Sequence, residues 1–359
     1  MTIKILFALI IFLLVIFIIF KSINYSPQIK DAAGNRIANS ISEIRKVKIG
    51  NLTQTILIRG ENFNNPVLLY LHGGPGTTEL IPFRLFHKNL EKYFTIIAWE
   101  QRGTGKSFST EIPENTMTIN QFVADAHELT TYLIKEFQKK KILVVGHSWG
   151  TALGLLLVQK YPEQYYAYVG SGQEVNPKEG EKISYQYLIE RAKGNQKALD
   201  ELLPLNSVEQ YLTIDKSDNW YEKIKIHRKW LIRLGGEIYN QTDYSLLFNM
   251  KTIIAPEYSL MDFINFGRGS VFSLKTMWPQ IMKLNLTQEI PQINIPVYIL
   301  QGRHDYNTPS VLVEDYFNKL ISPNKNLIWF ENSGHHPAYE EPEKYDNILI
   351  DKVLPLCKE

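Results

Sequence analysis

Lys141-Ile142-Leu143-Val144-Val145-Gly146-His147-Ser148-Trp149-Gly150-Thr151-Ala152-Leu153-Gly154-Leu155-Leu156-Leu157-Val158 is the stretch whose reading decides the fold. The apolar run ending at Val145 is short enough for a fully buried strand, and the run from Thr151 reads as a buried helix. A Gly-x-Ser-x-Gly between strand and helix is a nucleophile elbow, with Ser148 on a tight turn and its hydroxyl exposed. Gly146 and Gly150 are required because neighbouring backbone crosses closely there and a Cβ would collide. Common residues make the pentapeptide weak alone. Its flanks make it a lead.

Working outward, further short apolar runs end at polar turns. Val67–Leu71 ends at His72-Gly73-Gly74-Pro75-Gly76, and Phe94–Trp99 ends at Glu100-Gln101-Arg102-Gly103. Tyr165–Val169, Ile295–Leu300 and Asn326–Phe330 are of the same kind. Ile44–Ile49 and Thr53–Ile58 form a candidate hairpin around Gly50-Asn51. Residues 119–137 place Phe122, Ala126, Leu129, Leu133 and Phe137 on one helical face. Strands alternating with helices predict an α/β fold with a doubly wound, mostly parallel sheet. From 172 to 290 the pattern changes to helical segments rich in Lys, Glu, Tyr and Trp. The expected organisation is therefore a core of residues 43–171 and 291–359, interrupted by a helical cap at 172–290.

A serine hydroxyl becomes a nucleophile when a base takes its proton and a third group orients that base. In a doubly wound sheet such groups gather at the carboxyl ends of strands. Asp305 follows the strand near 296–300, and His335 follows the strand 326–330. The chain order Ser148, Asp305, His335 is the one expected of this constellation. His335 is the expected general base, and Asp305 orients it. The backbone N–H groups of Trp149 and Gly74 are the expected oxyanion donors. Competing readings exist, with Asp305 as a cap for a helix near Pro309 and His336 as the base, while His147 and His72 are expected to be structural supports. Gly105-Lys106-Ser107 lacks the first glycine of a phosphate-binding loop, since Glu100 stands there. His127-Glu128 has no second histidine at helical spacing.

The 359 residues carry 39 Lys and Arg against 37 Asp and Glu, a near balance that gives no footprint for a nucleic-acid partner. Cys357 stands alone, without neighbours at metal-ligand spacing, so neither an internal disulfide nor a metal site is expected. No cofactor is called for. Ile5 to Phe20 is an unbroken apolar run bracketed by Lys4 and Lys21. As a helix it would span about 24 Å, short for a bilayer core of about 30 Å but longer than the usual apolar region of a cleaved signal. Residues 1–21 are read as a transmembrane signal anchor in contact with the lipid bilayer through 5–20, and residues 22–42 as a linker. The catalytic domain is expected outside the cytoplasm, although lysines flank both ends of the run.

The set HGGPG at 72–76, EQRG at 100–103, GHSWG at 146–150, GRHD at 302–305 and Gly334-His335 resembles the prolyl aminopeptidase (proline iminopeptidase) branch of the α/β-hydrolase superfamily. The resemblance covers roughly residues 45–170 and 290–355, and its most specific element is the HGGPG loop. It implies a serine hydrolase that removes N-terminal residues, often proline, from small peptides. Two positions depart from the family, which usually has Asp where Glu100 stands and often Gly where His147 stands. Family members bind the substrate amine through acidic residues of the cap, commonly near a Trp-x-x-x-Trp-Glu-like segment. Here Trp220 and Trp230 are followed by Tyr221 and Leu231, and the candidate amine anchors are Glu174, Glu237 and Glu257. An esterase or amidase of small apolar substrates is the alternative, and a non-catalytic binding protein that keeps the fold is the third.

Overall fold

The computed structural model describes residues 24–205 and 219–358, together with Leu6, Phe7 and Ser22. Eight strands form one sheet: β1 (Ile41–Ile49), β2 (Leu52–Gly60), β3 (Val67–Leu71), β4 (Thr95–Glu100), β5 (Ile142–His147), β6 (Tyr165–Ser171), β7 (Val297–Gly302) and β8 (Lys325–Phe330). Their order is β1-β2-β4-β3-β5-β6-β7-β8, antiparallel at the β1–β2 and β2–β4 contacts and parallel from β4 to β8. The β1–β2 hairpin turns on Gly50 and Asn51, both with positive φ (54° and 62°), as a two-residue turn matched to strand twist requires.

The helices are α1 (Leu80–Phe86), α2 (Ile119–Glu136), α3 (Trp149–Lys160), α4 (Pro177–Arg191), α5 (Gln196–Leu202), α6 (Trp220–Arg233), α7 (Met250–Ile254), α8 (Leu260–Ile281), α9 (Leu286–Glu289), α10 (Ser310–Lys319), α11 (Pro337–Glu340) and α12 (Pro342–Ile348). Alternate residues of the central strands feed opposite apolar layers. Leu69, Leu71 and Val144 join Phe122, Leu129 and Ala152 on one face. Leu68, Tyr70, Leu143 and Val145 join Phe83, Tyr339 and Tyr345 on the other. That two-sided covering is why β3 and β5 read as continuous apolar runs rather than alternating ones.

Helices α4 to α9 make up the cap, and its described residues contain no strand. Helix α8 starts at a capping box in which Ser259 and Asp262 each bond the other's backbone N–H.

The stretch expected to be a linker is pinned to the core at Ser26, Pro27 and Ile29, while most of residues 30–39 stay exposed. Arg59 Nη1 donates to Ser26 Oγ and to the Pro27 carbonyl, each at 2.7 Å, and β1 already begins at Ile41. Polar composition suggested slack, but a buried cation demanded partners. The expected anchor at 5–20 lies outside the described residues apart from Leu6 and Phe7. Among the described residues no helix is long and apolar enough to cross a membrane.

Candidate active site

Ser148 stands between β5 and α3 with φ 53° and ψ −124°, a backbone conformation that side-chain-bearing residues seldom adopt. The crossing explains the flanking glycines. A Cβ on Gly146 would strike the Gly150 carbonyl, and one on Gly150 would strike the carbonyl of Leu71 at the end of β3. The elbow is thus pressed against the His72–Gly76 loop. Trp149 Nε1 donates to Gln101 Oε1 at 3.0 Å, and Gln101 Nε2 donates to the His72 carbonyl at 2.9 Å. His72 accepts the Gln101 N–H on Nε2 (3.2 Å), so its Nδ1 carries the proton and donates to the Gly73 carbonyl at 2.8 Å. Burial lowers its pKa and keeps the ring neutral. His72 supports the loop, as expected.

Asp305 and His335 arrive from the ends of β7 and β8. Asp305 Oδ2 accepts from His335 Nδ1 at 2.9 Å, from Thr308 Oγ1 at 2.7 Å and from Gln301 Nε2 at 2.9 Å. Its Oδ1 accepts the N–H groups of Asn307 and Thr308, both at 2.9 Å, so the carboxylate shapes the turn ahead of α10 rather than capping that helix. His335 Nε2 is buried and has no hydrogen-bond partner among the described residues. Burial alone would lower the His335 pKa. The charge and hydrogen bond of Asp305, with Glu237 and Glu174 behind it, outweigh that and push it up to about 9.

Ser148 and His335 line one cavity of about 410 Å³ beneath the cap, along with Gly74, Trp149, Glu174 and Glu237. A volume of this size suits a small molecule. Burial pushes the Glu174 carboxyl up to about 8. Burial would raise Glu237 too, but a hydrogen bond from His336 and the charges of His335, His336 and Arg228 hold it at about 2. Glu257 is not at this site. It is buried in an ion pair with Arg84 Nε at 2.5 Å, beside α1 and away from the cavity. His336, the competing base, instead contacts Glu237 Oε1 through Nε2 at 3.3 Å.

Two clusters escaped the sequence reading. Glu79, directly before α1, accepts from Tyr70 and Tyr339 (3.1 Å), from the Gly73 N–H (3.2 Å) and from His147 Nδ1 (2.7 Å). His147 Nε2 in turn donates to the His335 carbonyl at 3.0 Å. In the cap, Glu181 pairs with Arg228 and with His227 Nδ1 (3.0 Å), whose Nε2 meets Ser184 Oγ at 2.9 Å. A helix-start glutamate carries no signal of pairing with residues 68 and 260 positions away. The cap cluster has one: Glu181 and Ser184 share a face of α4 at i, i+3.

Comparison with known proteins agrees with this architecture. Residues 66–201 match the sequence family described as alpha/beta hydrolase fold. The chain is 33% identical over 312 residues to a probable aminopeptidase, YbaC, of Bacillus subtilis, covering 86% of this chain and 96% of that protein. It is 27% identical over 315 residues to the proline iminopeptidase of Saccharolobus solfataricus, covering 83% and 88% respectively. Among solved structures, VinJ has a TM-score of 0.63 at 20% identity, covering 88% of this chain and 99% of that one. The proline iminopeptidase of Mycobacterium smegmatis has a TM-score of 0.59 at 17% identity, covering 88% and 98%. These two structural likenesses speak to the fold.

Proposed function

The chain belongs to the α/β-hydrolase family, on its proline-iminopeptidase-like branch, and from that premise we propose that it is a serine aminopeptidase acting on small peptides through Ser148, His335 and Asp305. The observation that carries this reading is the buried, unpartnered Nε2 of His335 in the same cavity as Ser148, with Nδ1 held by Asp305. Nε2 takes the Ser148 Oγ proton as Oγ attacks the scissile carbonyl carbon. The tetrahedral oxyanion is met by the backbone N–H groups of Trp149 and Gly74. Gly74 is favoured over Gly73 because the Gly73 N–H is committed to Glu79. Each such donor is worth about 3 kcal/mol of barrier. His335 returns the proton to the departing amine, leaving an acyl-enzyme, and a water activated by the same imidazole then releases the acyl group.

Glu174 and Glu237 on the cavity wall are suited to a protonated N-terminal amine. A peptide ammonium beside Glu174 would lower the carboxyl pKa, so that Glu174 gives up its proton to water and becomes the counter-ion. The alternative, hydrolysis of small apolar esters or amides, is favoured by the other wall, where Leu247, Phe248, Phe266 and Leu274 face the cavity. Residues 5–20 are read as a membrane anchor from their unbroken apolar run.

A fluorophosphonate probe tests the mechanism: it should label the wild-type chain, and Ser148→Ala should abolish labelling with the fold intact. Equal labelling of the two would refute the assignment of Ser148. Turnover of proline- and alanine-naphthylamide against short acyl esters distinguishes the two substrate classes, and Glu174→Gln should raise KM for the former alone.

A further inference from the structure

The apolar run Ile5–Phe20 ends five residues before Tyr25, and the Tyr25 N–H donates to the Pro256 carbonyl at 3.2 Å. Even fully extended, five residues reach only about 17 Å. The end of the run is therefore tethered close to the link between α7 and α8. Among the described residues, that link is where the surface of the cap is most apolar. Residues 244–271 carry nine of the seventeen exposed large apolar side chains among the described residues. Six of them, Met250, Ile253, Ile254, Leu260, Met261 and Ile264, fall within fifteen positions and are 45–67% exposed. Surface apolar residues of soluble proteins are ordinarily scattered, and a cluster marks a contact surface.

Charge is arranged to match. Between Tyr244 and Lys275 the acidic residues are Glu257 and Asp262, and both turn inward, to Arg84 and to Lys106 Nζ (each at 2.5 Å). Arg268 and Lys275 are exposed and continue the Ile264–Val271 stripe of α8 at spacings of three and four. An apolar face bordered by outward basic residues is the pattern of a helix lying in a bilayer interface. The face is also continuous with the cavity. The Phe248 and Phe266 rings stack at 6.0 Å and both line the cavity, while Phe248 is 38% exposed.

We propose that this face of the cap rests on the same lipid bilayer that takes up residues 5–20, with Arg268 and Lys275 at the phosphate headgroups and the catalytic cavity opening at the membrane surface. The inference rests on the reading of residues 5–20 as an anchor. Substrate would then reach Ser148 from the interface, which favours amphiphilic peptides or amides over fully water-solvated ones.

The test uses the full chain with Cys357→Ser and one environment-sensitive nitrobenzoxadiazole label, on Ile253→Cys, Met261→Cys or, as a control on α10, Val311→Cys. Each is bound to phosphatidylcholine–phosphatidylglycerol vesicles. Labels at 253 and 261 should shift to the blue and lose emission to a lipid-borne doxyl quencher. The label at 311, a position 59% exposed, should lose emission to aqueous iodide instead. A photoactivatable lipid should cross-link peptides spanning 250–264 of the unsubstituted chain, which covers the case of a labelled variant that folds poorly. Flotation with the vesicles separates the two readings. A chain that does not float removes the anchor and this proposal with it. A chain that floats while iodide alone quenches positions 253 and 261 keeps its anchor and overturns the proposal. Shielding of both positions from both quenchers means that protein covers the face, either a second copy or the chain's own N-terminal run, and overturns it equally.

Discussion

Glu79 joins three parts of the site through one carboxylate. It holds the Gly73 N–H in the His72–Gly76 loop, the ring of His147 beside Ser148 and, through that ring, the carbonyl of His335. Burial alone would raise its pKa, but the charge and hydrogen bond of His147, with the hydroxyl of Tyr70, hold it far below the usual carboxylate range. Glu79→Gln keeps the shape and removes the charge. Misplacement of catalytic groups by a fraction of an ångström to one ångström costs up to about 10²-fold, so kcat should fall toward that extent with KM little changed. Steady-state kinetics checks this, and an unchanged kcat would reduce the network to packing. At His335 the sign of the pH dependence follows from its raised pKa. The imidazolium cannot accept the Ser148 proton, so kcat/KM should climb with rising pH toward a limb near 9. Glu237→Gln removes one of the charges that hold this proton and should move the limb to lower pH. A pH–rate profile that does not move would exclude Glu237 as one of those charges.

At the scale of elements, α8 is a piece of the cap that touches the loops of the core directly. Ser270 Oγ donates to the Gly76 carbonyl at 2.6 Å, and Ser273 Oγ donates to the Gly103 carbonyl at 3.0 Å. Ser270→Ala should cost about 1 kcal/mol of stability, read as a lowered denaturation midpoint. It should also raise KM by loosening the HGGPG loop beneath the cap. The sheet and the helical character of the cap were legible in the sequence, and the packing of the cap was not, for a physical reason. Strands β3, β5 and β7 are buried on both faces, so they announce themselves as apolar runs ending at turn residues. Helices α4 and α6 are joined instead by Glu181, Arg228, His227 and Ser184, and beyond the i, i+3 spacing of Glu181 and Ser184 such cross-links between distant positions leave no trace that pairs one helix with the other. Glu257 was misread for the same reason, because an acid's partner decides its role and Arg84 lies 173 positions away.

Across the whole molecule, the proposed catalytic groups come from both sides of the cap insertion: Ser148 precedes it, whereas Asp305 and His335 follow it. Their order along the chain was readable because the topology brings the ends of β5, β7 and β8 to one side of the sheet. The shape of the cavity above them was not, since it depends on how the insertion packs. The sheet also distributes these groups unequally. Ser148 leaves β5, which is central and buried at every residue, while His335 leaves β8, an edge strand with five of its six residues only partly covered. Edges open at lower free energy than centres. Heat should therefore silence the protein before it melts: turnover should decline at temperatures where the near-ultraviolet dichroism of the core is still native, and amide exchange should quicken first along 325–336. An inhibitor bridging Ser148 and His335 would close that gap, so a thermal-shift assay would understate how well it preserves function.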